Sequence, residues 1–327
     1  MIIWKLKTMR AIEFNNELKI TENYSMPEPQ KGEALIKIII AGICNTDIEI
    51  TKGYMGFSGI LGHEFVGIVE KINGTDQELL NHRVVGEINC GCRCCEYCLT
   101  GLENHCPTRT VVGIFNRNGC FADYVTLPLK NLHKVPENIS NQEAVFAEPL
   151  AAAFEILDQI QIKPTDKVLI LGDGKLGLLI SFVLNLTEAE ITLIGKHQEK
   201  LDIAKNQNVN TNLLSDLSIE KIYDVVVEAT GSISGFELAQ KLVKPRGTIV
   251  LKSTIASEKA LNLAPIVIDE IKIIGSRCGP FKPALSALEK NLIDVTPLIS
   301  KEFNFNQAQE AFKLSKTKGI LKILINF

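Results

Sequence analysis

Two short segments near the N-terminus combine side chains that bind metals with side chains that move protons. The segment GICNTD contains Cys44, Thr46 and Asp47, and the segment GHE contains His63 and Glu64. A thiolate, an imidazole and carboxylates suit a catalytic zinc, which keeps one coordination position open for water or substrate. A single cysteine or histidine is more often a core or surface residue, so the prediction rests on the combination.

Further along the chain, Glu148 in the segment FAEPL adds another carboxylate to this set. Zinc in such a set acts as a Lewis acid on whatever occupies the open position. The residue types therefore indicate metal-assisted chemistry on a bound water or substrate.

Six cysteines crowd into residues 90–106, at positions Cys90, Cys92, Cys94, Cys95, Cys98 and Cys106. Crowded thiols without a metal are prone to oxidation, whereas zinc holds four thiolates in a closed tetrahedral site. We predict a structural zinc that stabilises the fold and does no chemistry. Its ligands are Cys92, Cys95, Cys98 and Cys106. A site with Cys90 in place of Cys92 is also sterically conceivable.

A glycine-rich turn occurs in the segment VLILGDGKLG, where a strand-like run is followed by a helical pattern. Glycines at such a turn allow the chain to approach a pyrophosphate, whose charge lies at the N-terminus of the helix. The motif alone is weak evidence, but its position between a strand and a helix predicts a dinucleotide site. The expected contacts are Gly172, Gly174, Lys175, Leu176 and Gly177.

The next predicted strand, 191–194, ends at Gly195, Lys196 and His197. An NAD-specific site usually has an aspartate or glutamate at this point, which binds the ribose 2′-hydroxyl. A glycine followed by Lys196 and His197 leaves room and positive charge for a 2′-phosphate. We therefore predict NADP in preference to NAD, although Lys196 is equally compatible with a solvated position at a strand-to-helix turn.

The elements that position these residues fall into two regions. Up to about residue 140, short β-branched runs at 34–40, 65–72 and 122–127 alternate with turn residues, which predicts a β-rich, barrel-like domain. Residues 141–275 alternate strand and helix patterns, which predicts βαβ units on a parallel sheet. In this region the strands are expected at 167–171, 191–194, 223–228, 248–252 and 271–274.

We expect a catalytic domain over 1–140 with the cysteine lobe at 90–106, and a dinucleotide-binding domain over 141–275. The segment 276–327 is too short to fold alone, so it is expected to pack back on the catalytic domain, with helices at 283–291 and 307–315 and a strand at 320–326.

The composition excludes several classes of function. A chain of 327 residues with 46% hydrophobic residues, 22% charged residues and a net charge of -3 is ordinary for a globular protein and lacks the basic excess of nucleic-acid-binding proteins. Its apolar runs are far shorter than the roughly 20 residues of a membrane span. The N-terminal segment does not resemble a secretory signal. We expect a cytoplasmic protein that binds a small molecule, and neither nucleic acid nor membranes.

The ordered set of motifs resembles the zinc-containing medium-chain dehydrogenases over nearly the whole chain. This resemblance implies an α/β fold, with a Rossmann-type doubly wound parallel sheet and a β-rich GroES-like barrel domain. It also implies a homodimer or homotetramer. Glu148 stands where the sorbitol and threonine dehydrogenase branch has glutamate and where liver-type alcohol dehydrogenases have a cysteine ligand. This difference favours polyols and other secondary alcohols as substrates.

The resemblance also assigns roles within the zinc site. Cys44 and His63 would ligate the catalytic zinc, and it stays open whether Glu64 or Glu148 is the carboxylate ligand. Asp47 would hydrogen-bond the free ring nitrogen of His63 and so fix its tautomer.

Two further residues receive roles from the same resemblance. Thr46 would pass the alcohol proton outward, and Thr230, in the segment EATG, would line the cofactor cleft. The sequence thus predicts an oxidoreductase with two zinc ions per chain, which transfers hydride between a secondary alcohol or polyol and NADP or NAD.

Two other interpretations fit parts of the sequence. One is a zinc-dependent reductase of an aldehyde or an activated double bond, which only a substrate screen separates from the first. The other is a non-catalytic regulatory protein, in which the cysteine lobe mediates association and the second domain senses a dinucleotide. That interpretation predicts one zinc per chain. The joint presence of five residues argues against it: Cys44, Thr46, Asp47, His63 and Glu148.

Overall fold

The computed structural model describes residues 8–254 and 261–327, so the N-terminal segment 1–7 lies outside the described residues. The strands are β1 (Thr8–Asn15), β2 (Glu17–Ser25), β3 (Glu33–Ile43), β4 (Gly59–Ile60), β5 (Glu64–Asn73), β6 (Arg83–Gly86), β7 (Asn89–Cys90), β8 (Thr110–Val112), β9 (Asn116–Arg117), β10 (Tyr124–Pro128), β11 (Leu132–Lys134), β12 (Lys167–Leu171), β13 (Glu190–Gly195), β14 (Asn210–Leu213), β15 (Tyr223–Glu228), β16 (Val243–Leu251), β17 (Lys272–Gly275), β18 (Ile299–Asn304) and β19 (Lys322–Asn326).

The α-helices are α1 (Asn45–Ile50), α2 (Glu96–Leu99), α3 (Asn141–Ala144), α4 (Ala147–Gln159), α5 (Lys175–Asn185), α6 (Gln198–Lys205), α7 (Ile233–Leu242), α8 (Ala264–Ile268), α9 (Phe281–Glu289) and α10 (Ala308–Ser315). Within residues 8–254 and 261–327, none of them has the length and apolar character needed to cross a membrane.

The chain forms two compact units. The first consists of Met1–Glu148 with Ile299–Phe327, and the second of Pro149–Leu298. The boundaries expected from the sequence, at 140 and 275, lie where the pattern of strands and helices changes along the chain. The two units are defined instead by which residues contact one another, and they divide after Glu148 and after Leu298. The segment after β17 packs closely in the second unit, since a Cβ on Gly279 would lie 2.2 Å from the carbonyl oxygen of Ala151.

The first unit is built around β3, whose two edges are both paired. One edge pairs antiparallel with β5; the other pairs with β10 along Glu33–Lys37 and with β19 along Ile40–Ile43. Irregular register against β5 near Ile38 bends the sheet, as β-bulges do in barrel-like sheets. The predicted strands at 34–40 and 65–72 are confirmed as parts of β3 and β5, and most of the predicted strand at 122–127 lies in β10.

The C-terminal strands complete this sheet. In β19, Leu324 lies opposite Gly42 and Ile323 lies opposite Ile43, while β18 pairs parallel with β19. The last strand of the chain therefore runs beside the end of β3, just before Cys44.

The second unit contains a six-stranded parallel sheet in the order β14-β13-β12-β15-β16-β17. The five strands expected in this region are confirmed, with shifted ends at 248–252 and 271–274. The edge strand β14 was not predicted, because its sequence NTNL is polar and only half-buried. The apolar side chains of β12 and β15 are buried, and the strand order reverses between these two strands, as it does in doubly wound sheets.

Candidate active site

Cys44 occupies the N-cap position between the end of β3 and α1. Asp47, in the first turn of α1, is fully buried. Its Oδ2 accepts a hydrogen bond from the backbone N–H of Cys44 at 2.8 Å, and its Oδ1 accepts one from the N–H of Gly62 at 3.2 Å. One carboxylate therefore ties the cysteine segment to the histidine segment. Thr46 Oγ1 lies 3.7 Å from Cys44 Sγ.

The histidine segment enters β5 through a turn that requires glycine. Gly62 has a φ of 90°, and a Cβ at this position would lie 2.6 Å from ring carbons of Phe121. The buried His63 follows, and Glu64 begins β5 opposite Gly42 of β3. The pairing of β3 with β5 thus brings Gly42, where the GICNTD segment begins, next to Glu64, where the GHE segment ends.

This arrangement brings three predicted ligands together. The ligand atoms of Cys44, His63 and Glu64 all lie within 4.8 Å of one another, a spread that one zinc ion can span. His63 Nδ1 lies 3.3 Å from Asp47 Oδ1, so Nδ1 faces the carboxylate and Nε2 is the other ring nitrogen.

The cluster attracts positive charge, which is the requirement for holding a metal ion. Burial lowers the pKa of His63, but the Asp47 carboxylate and the Cys44 side chain raise it well above its usual range. Glu64 Oε1 is buried and has no hydrogen-bond partner among the described residues, a costly state for a carboxylate oxygen. The donor set and the unpartnered oxygen both fit zinc.

A buried lysine, Lys322 in β19, belongs to this site and was missed by the sequence analysis. It is 1% exposed, its Nζ donates to Glu64 Oε2, and the ring centroid of Phe146 lies 5.5 Å from Nζ. Burial lowers the pKa of Lys322, but Glu64 and Cys44 raise it above its usual range, so the residue is a cation. A Cβ on Gly42 would lie 2.6 Å from Glu64 Oε2, so only glycine leaves room for this pair. The available signal was a lysine in the apolar run LKILI.

Glu148, the other predicted carboxylate ligand, lies in the first turn of α4. It is outside the group formed by Cys44, His63 and Glu64. Its charge nevertheless contributes to raising the pKa of Lys322. The structure therefore places Glu148 within electrostatic range of the cluster, and Glu64 inside it.

The cysteine lobe forms a second cluster, in which four Sγ atoms lie within 4.8 Å of one another. These atoms belong to Cys92, Cys95, Cys98 and Cys106. Gly91 permits this approach, since a Cβ there would lie 2.9 Å from Cys98 Sγ. The backbone N–H groups of Cys94 and Cys95 lower the pKa of Cys92 to about 5, so this residue is a thiolate at neutral pH.

The two other cysteines of the lobe have different surroundings. Cys90 is buried, its Sγ lies 4.0 Å from the carbonyl oxygen of Ile88, and burial raises its pKa to about 11. Cys94 is exposed, with its Sγ 3.5 Å from that of Cys92. The geometry thus favours Cys92 over Cys90 as the fourth member of the cluster.

The glycine-rich turn between β12 and α5 has no room for side chains at two of its glycines. Gly172 has a φ of 114°, and a Cβ on it would lie 2.8 Å from the carbonyl oxygen of Ala229. A Cβ on Gly177 would lie 1.9 Å from the oxygen of Gly172. Gly174 caps α5 without a side-chain hydrogen bond, so the first N–H groups of the helix are available to an anion.

A cavity of about 660 Å³ opens beside this turn. The predicted contacts that line it are Gly172, Gly174, Gly195, Lys196 and Thr230. Lys175, Leu176, Gly177 and His197 do not line it. The volume is in the range of about 300–1,000 Å³ that small-molecule sites occupy, and the lining combines small residues with hydroxyls.

Two family models match the chain. The alcohol dehydrogenase GroES-like domain matches residues 30–137, which contain Cys44, His63, Glu64 and the cysteine lobe. The zinc-binding dehydrogenase model matches residues 176–292, which contain most of the dinucleotide-type sheet.

Full-length relatives agree with these matches. A sorbitol dehydrogenase of Halalkalibacterium halodurans is 27% identical over 91% of this chain and 93% of its own length. The rspB alcohol dehydrogenase of Escherichia coli CFT073, solved with NADH, is 28% identical with a TM-score of 0.90, over 98% of this chain and 99% of its own. A zinc-binding dehydrogenase of Sinorhizobium meliloti 1021, solved with NADP, is 26% identical with a TM-score of 0.88, over 98% of this chain and 100% of its own. The present chain belongs to the zinc-containing medium-chain alcohol dehydrogenase family.

Proposed function

We propose that this chain transfers a hydride between a secondary alcohol or polyol and a nicotinamide dinucleotide. The observation that carries the proposal is the convergence of Cys44, His63 and Glu64 in a chain that also has a glycine-rich dinucleotide turn. Similarity to a sorbitol dehydrogenase supports a polyol as the substrate class. The NADH and NADP bound in two similar structures support a nicotinamide cofactor.

We infer that Cys44, His63 and Glu64 hold the catalytic zinc. Such an ion supplies a Lewis acid that lowers the pKa of an alcohol and favours its ionised form. Glu64 is favoured over Glu148 as the carboxylate because it lies in the cluster and has an unpartnered oxygen. Glu148 then acts on the site through its charge.

The chain's own residues orient the ligands and remove the proton. Asp47 Oδ1, which lies 3.3 Å from His63 Nδ1, would hold the proton on that ring nitrogen and so leave the Nε2 lone pair for the metal. The Thr46 hydroxyl, beside Cys44, accepts the alcohol proton and passes it toward solvent. Lys322 neutralises Glu64 and fixes its Oε2, so that its other oxygen is the one presented to the metal.

A second zinc ion in the cysteine lobe accounts for the four converging thiols. Because four protein ligands close the coordination sphere, this ion stabilises the lobe and takes no part in hydride transfer. We therefore propose two zinc ions per chain, with separate duties.

For the cofactor we propose a preference for NADP, based on Lys196 at the rim of the cavity and on the glycine at position 195. A lysine ammonium attracts a 2′-phosphate, and a glycine leaves the ribose pocket without an acid of its own at this position.

The experiment that tests the function is a panel of secondary alcohols, sugars and polyols, assayed with NADP and with NAD by the absorbance of reduced nicotinamide. We expect polyols or secondary alcohols to be oxidised, and NADP to be used more efficiently. Reduction of aldehydes or enones without any alcohol oxidation would support the reductase interpretation instead. An absence of turnover in both directions would reject the proposal.

We also propose a homodimer. Among the described residues, no strand pairs with the outer edge of β17, and α8, which precedes β17 in the chain, carries exposed apolar side chains: Val267 is 76% and Ile268 78% exposed. A sheet edge and an apolar patch together favour pairing with a second copy. Light scattering that gives the mass of a single chain would contradict this.

We also propose a cytoplasmic location, because six of the nine cysteines crowd into residues 90–106, which favours metal binding over disulfides.

A further inference from the structure

The position at which NAD-specific sites usually have an acid is occupied by a different residue in this chain. Gly195 ends β13, and the space above it is filled by Asp173 from the glycine-rich turn. A Cβ on Gly195 would lie 2.5 Å from both Cβ and Oδ2 of Asp173. The room that the sequence assigned to a 2′-phosphate is therefore partly taken by a carboxylate.

Asp173 is held in this place by three donors from the segment that follows β13. Its Oδ2 accepts hydrogen bonds from the backbone N–H of Lys196 at 2.7 Å and of His197 at 2.7 Å. His197 Nδ1 lies 2.9 Å from the same oxygen. The three contacts fall on Oδ2, and Oδ1 takes part in none of them.

The carboxylate is charged and lies in the cofactor cavity. Burial raises the pKa of Asp173, but the backbone and ring donors of His197 and the N–H of Lys196 bring it below its usual value. Asp173 lines the same cavity as Gly174, Gly195 and Lys196. The lining of the cavity therefore carries a negative charge from Asp173 and a positive charge from Lys196.

We propose that Asp173 is a specificity-determining residue for the cofactor, which binds the adenosine ribose of NAD and opposes the 2′-phosphate of NADP. This inference rests on the proposed use of a nicotinamide dinucleotide. Asp173, in the turn after β12, supplies the acid that is missing at the end of β13. Its Oδ1 is the atom that accepts a hydrogen bond from a ribose hydroxyl. Lys196 and Asp173 act in opposite directions, so Asp173 keeps the proposed preference for NADP over NAD modest.

The test is direct binding of NADPH and NADH to the zinc-loaded protein without substrate, followed by nicotinamide fluorescence at fixed ionic strength. Asp173→Asn keeps an oxygen for the backbone donors and removes the charge. Removing a like charge next to a phosphate should strengthen NADPH binding relative to NADH by about tenfold or more. Raising the salt concentration should shrink this change.

Asp158→Asn is the matched control, because it makes the same charge change on an exposed position of α4 in the same unit. It should leave the ratio of the two dissociation constants unchanged. Asp173→Ser is the second variant if Asp173→Asn folds poorly, and thermal unfolding of each variant is measured beside the wild type.

Each outcome decides one of the two proposals. If Asp173→Asn weakens NADPH and NADH equally, Asp173 only supports the turn, and the specificity role is overturned. The same holds if the ratio does not move. If the wild type binds neither cofactor, the proposed function fails as well. If both cofactors bind, but Asp173→Asn has the same ratio of dissociation constants as the wild type, only the role of Asp173 fails.

Discussion

Cys44→Ser and His63→Ala are each expected to abolish turnover while the fold and the metal of the cysteine lobe stay intact. Each removes a member of the three-residue cluster, which is separate from the four cysteines of the lobe. A metal Lewis acid contributes several kcal/mol to charge stabilisation, so kcat/KM should fall by at least about a thousandfold. Turnover, thermal unfolding and zinc content are measured on the same samples, and zinc should fall from two ions per chain to one.

The matched controls are Cys278→Ser and His82→Ala, which change the same residue types outside both metal-type clusters. They should retain two zinc ions and most of the activity. Full activity in the Cys44 or His63 variant would exclude a catalytic metal at this cluster.

Cys106→Ser is expected to be the most destabilising single substitution in the cysteine lobe. Cys106 is completely buried, and its Sγ accepts a hydrogen bond from the N–H of Cys92 at 3.3 Å. Structural zinc contributes to folding free energy directly, so losing a ligand should lower the Tm by more than about 10 °C. Differential scanning calorimetry and zinc analysis measure the effect.

Cys94→Ser provides the control for this prediction, since Cys94 adjoins Cys95 in sequence but stays outside the four-cysteine cluster and is exposed. Its Tm and zinc content should match the wild type. Equal destabilisation by the two substitutions would show that the lobe depends on thiols in general and not on these four ligands.

The sequence was most informative where a function needs residues that are close together in the chain. The cysteine lobe, the GHE segment and the glycine-rich turn each lie within a short stretch, so their members could be proposed from the sequence, with Cys90 left as an alternative to Cys92. The parallel sheet was equally accessible, because its buried strands are continuous apolar runs.

The residues that the sequence did not reveal act through pairing of distant segments. Lys322 reaches Glu64 only because β19 pairs with β3, across 258 positions of sequence. Asp173 reaches the end of β13 because β12 and β13 are parallel neighbours. In both cases a charged side chain fills a space that a glycine, Gly42 or Gly195, leaves open. Such a space becomes visible only when the strands are placed.

For a similar reason, the sequence did not decide which glutamate is the carboxylate ligand of the zinc. Glu64 and Glu148 are indistinguishable as residue types, and their distance from Cys44 depends on the sheet and on the start of α4. The structure groups Glu64, and not Glu148, with Cys44 and His63, which is why we propose Glu64 as the carboxylate ligand.

The central claim, direct hydride transfer between an alcohol carbon and nicotinamide, is tested most directly by isotope transfer. The best alcohol from the substrate panel is prepared with deuterium on its carbinol carbon and oxidised by the zinc-loaded chain, and the reduced cofactor is analysed by mass spectrometry. The account predicts that the deuterium appears in the reduced nicotinamide, and that the Cys44→Ser variant gives none. Reduced nicotinamide without the label would contradict the account, as would loss of the deuterium to water.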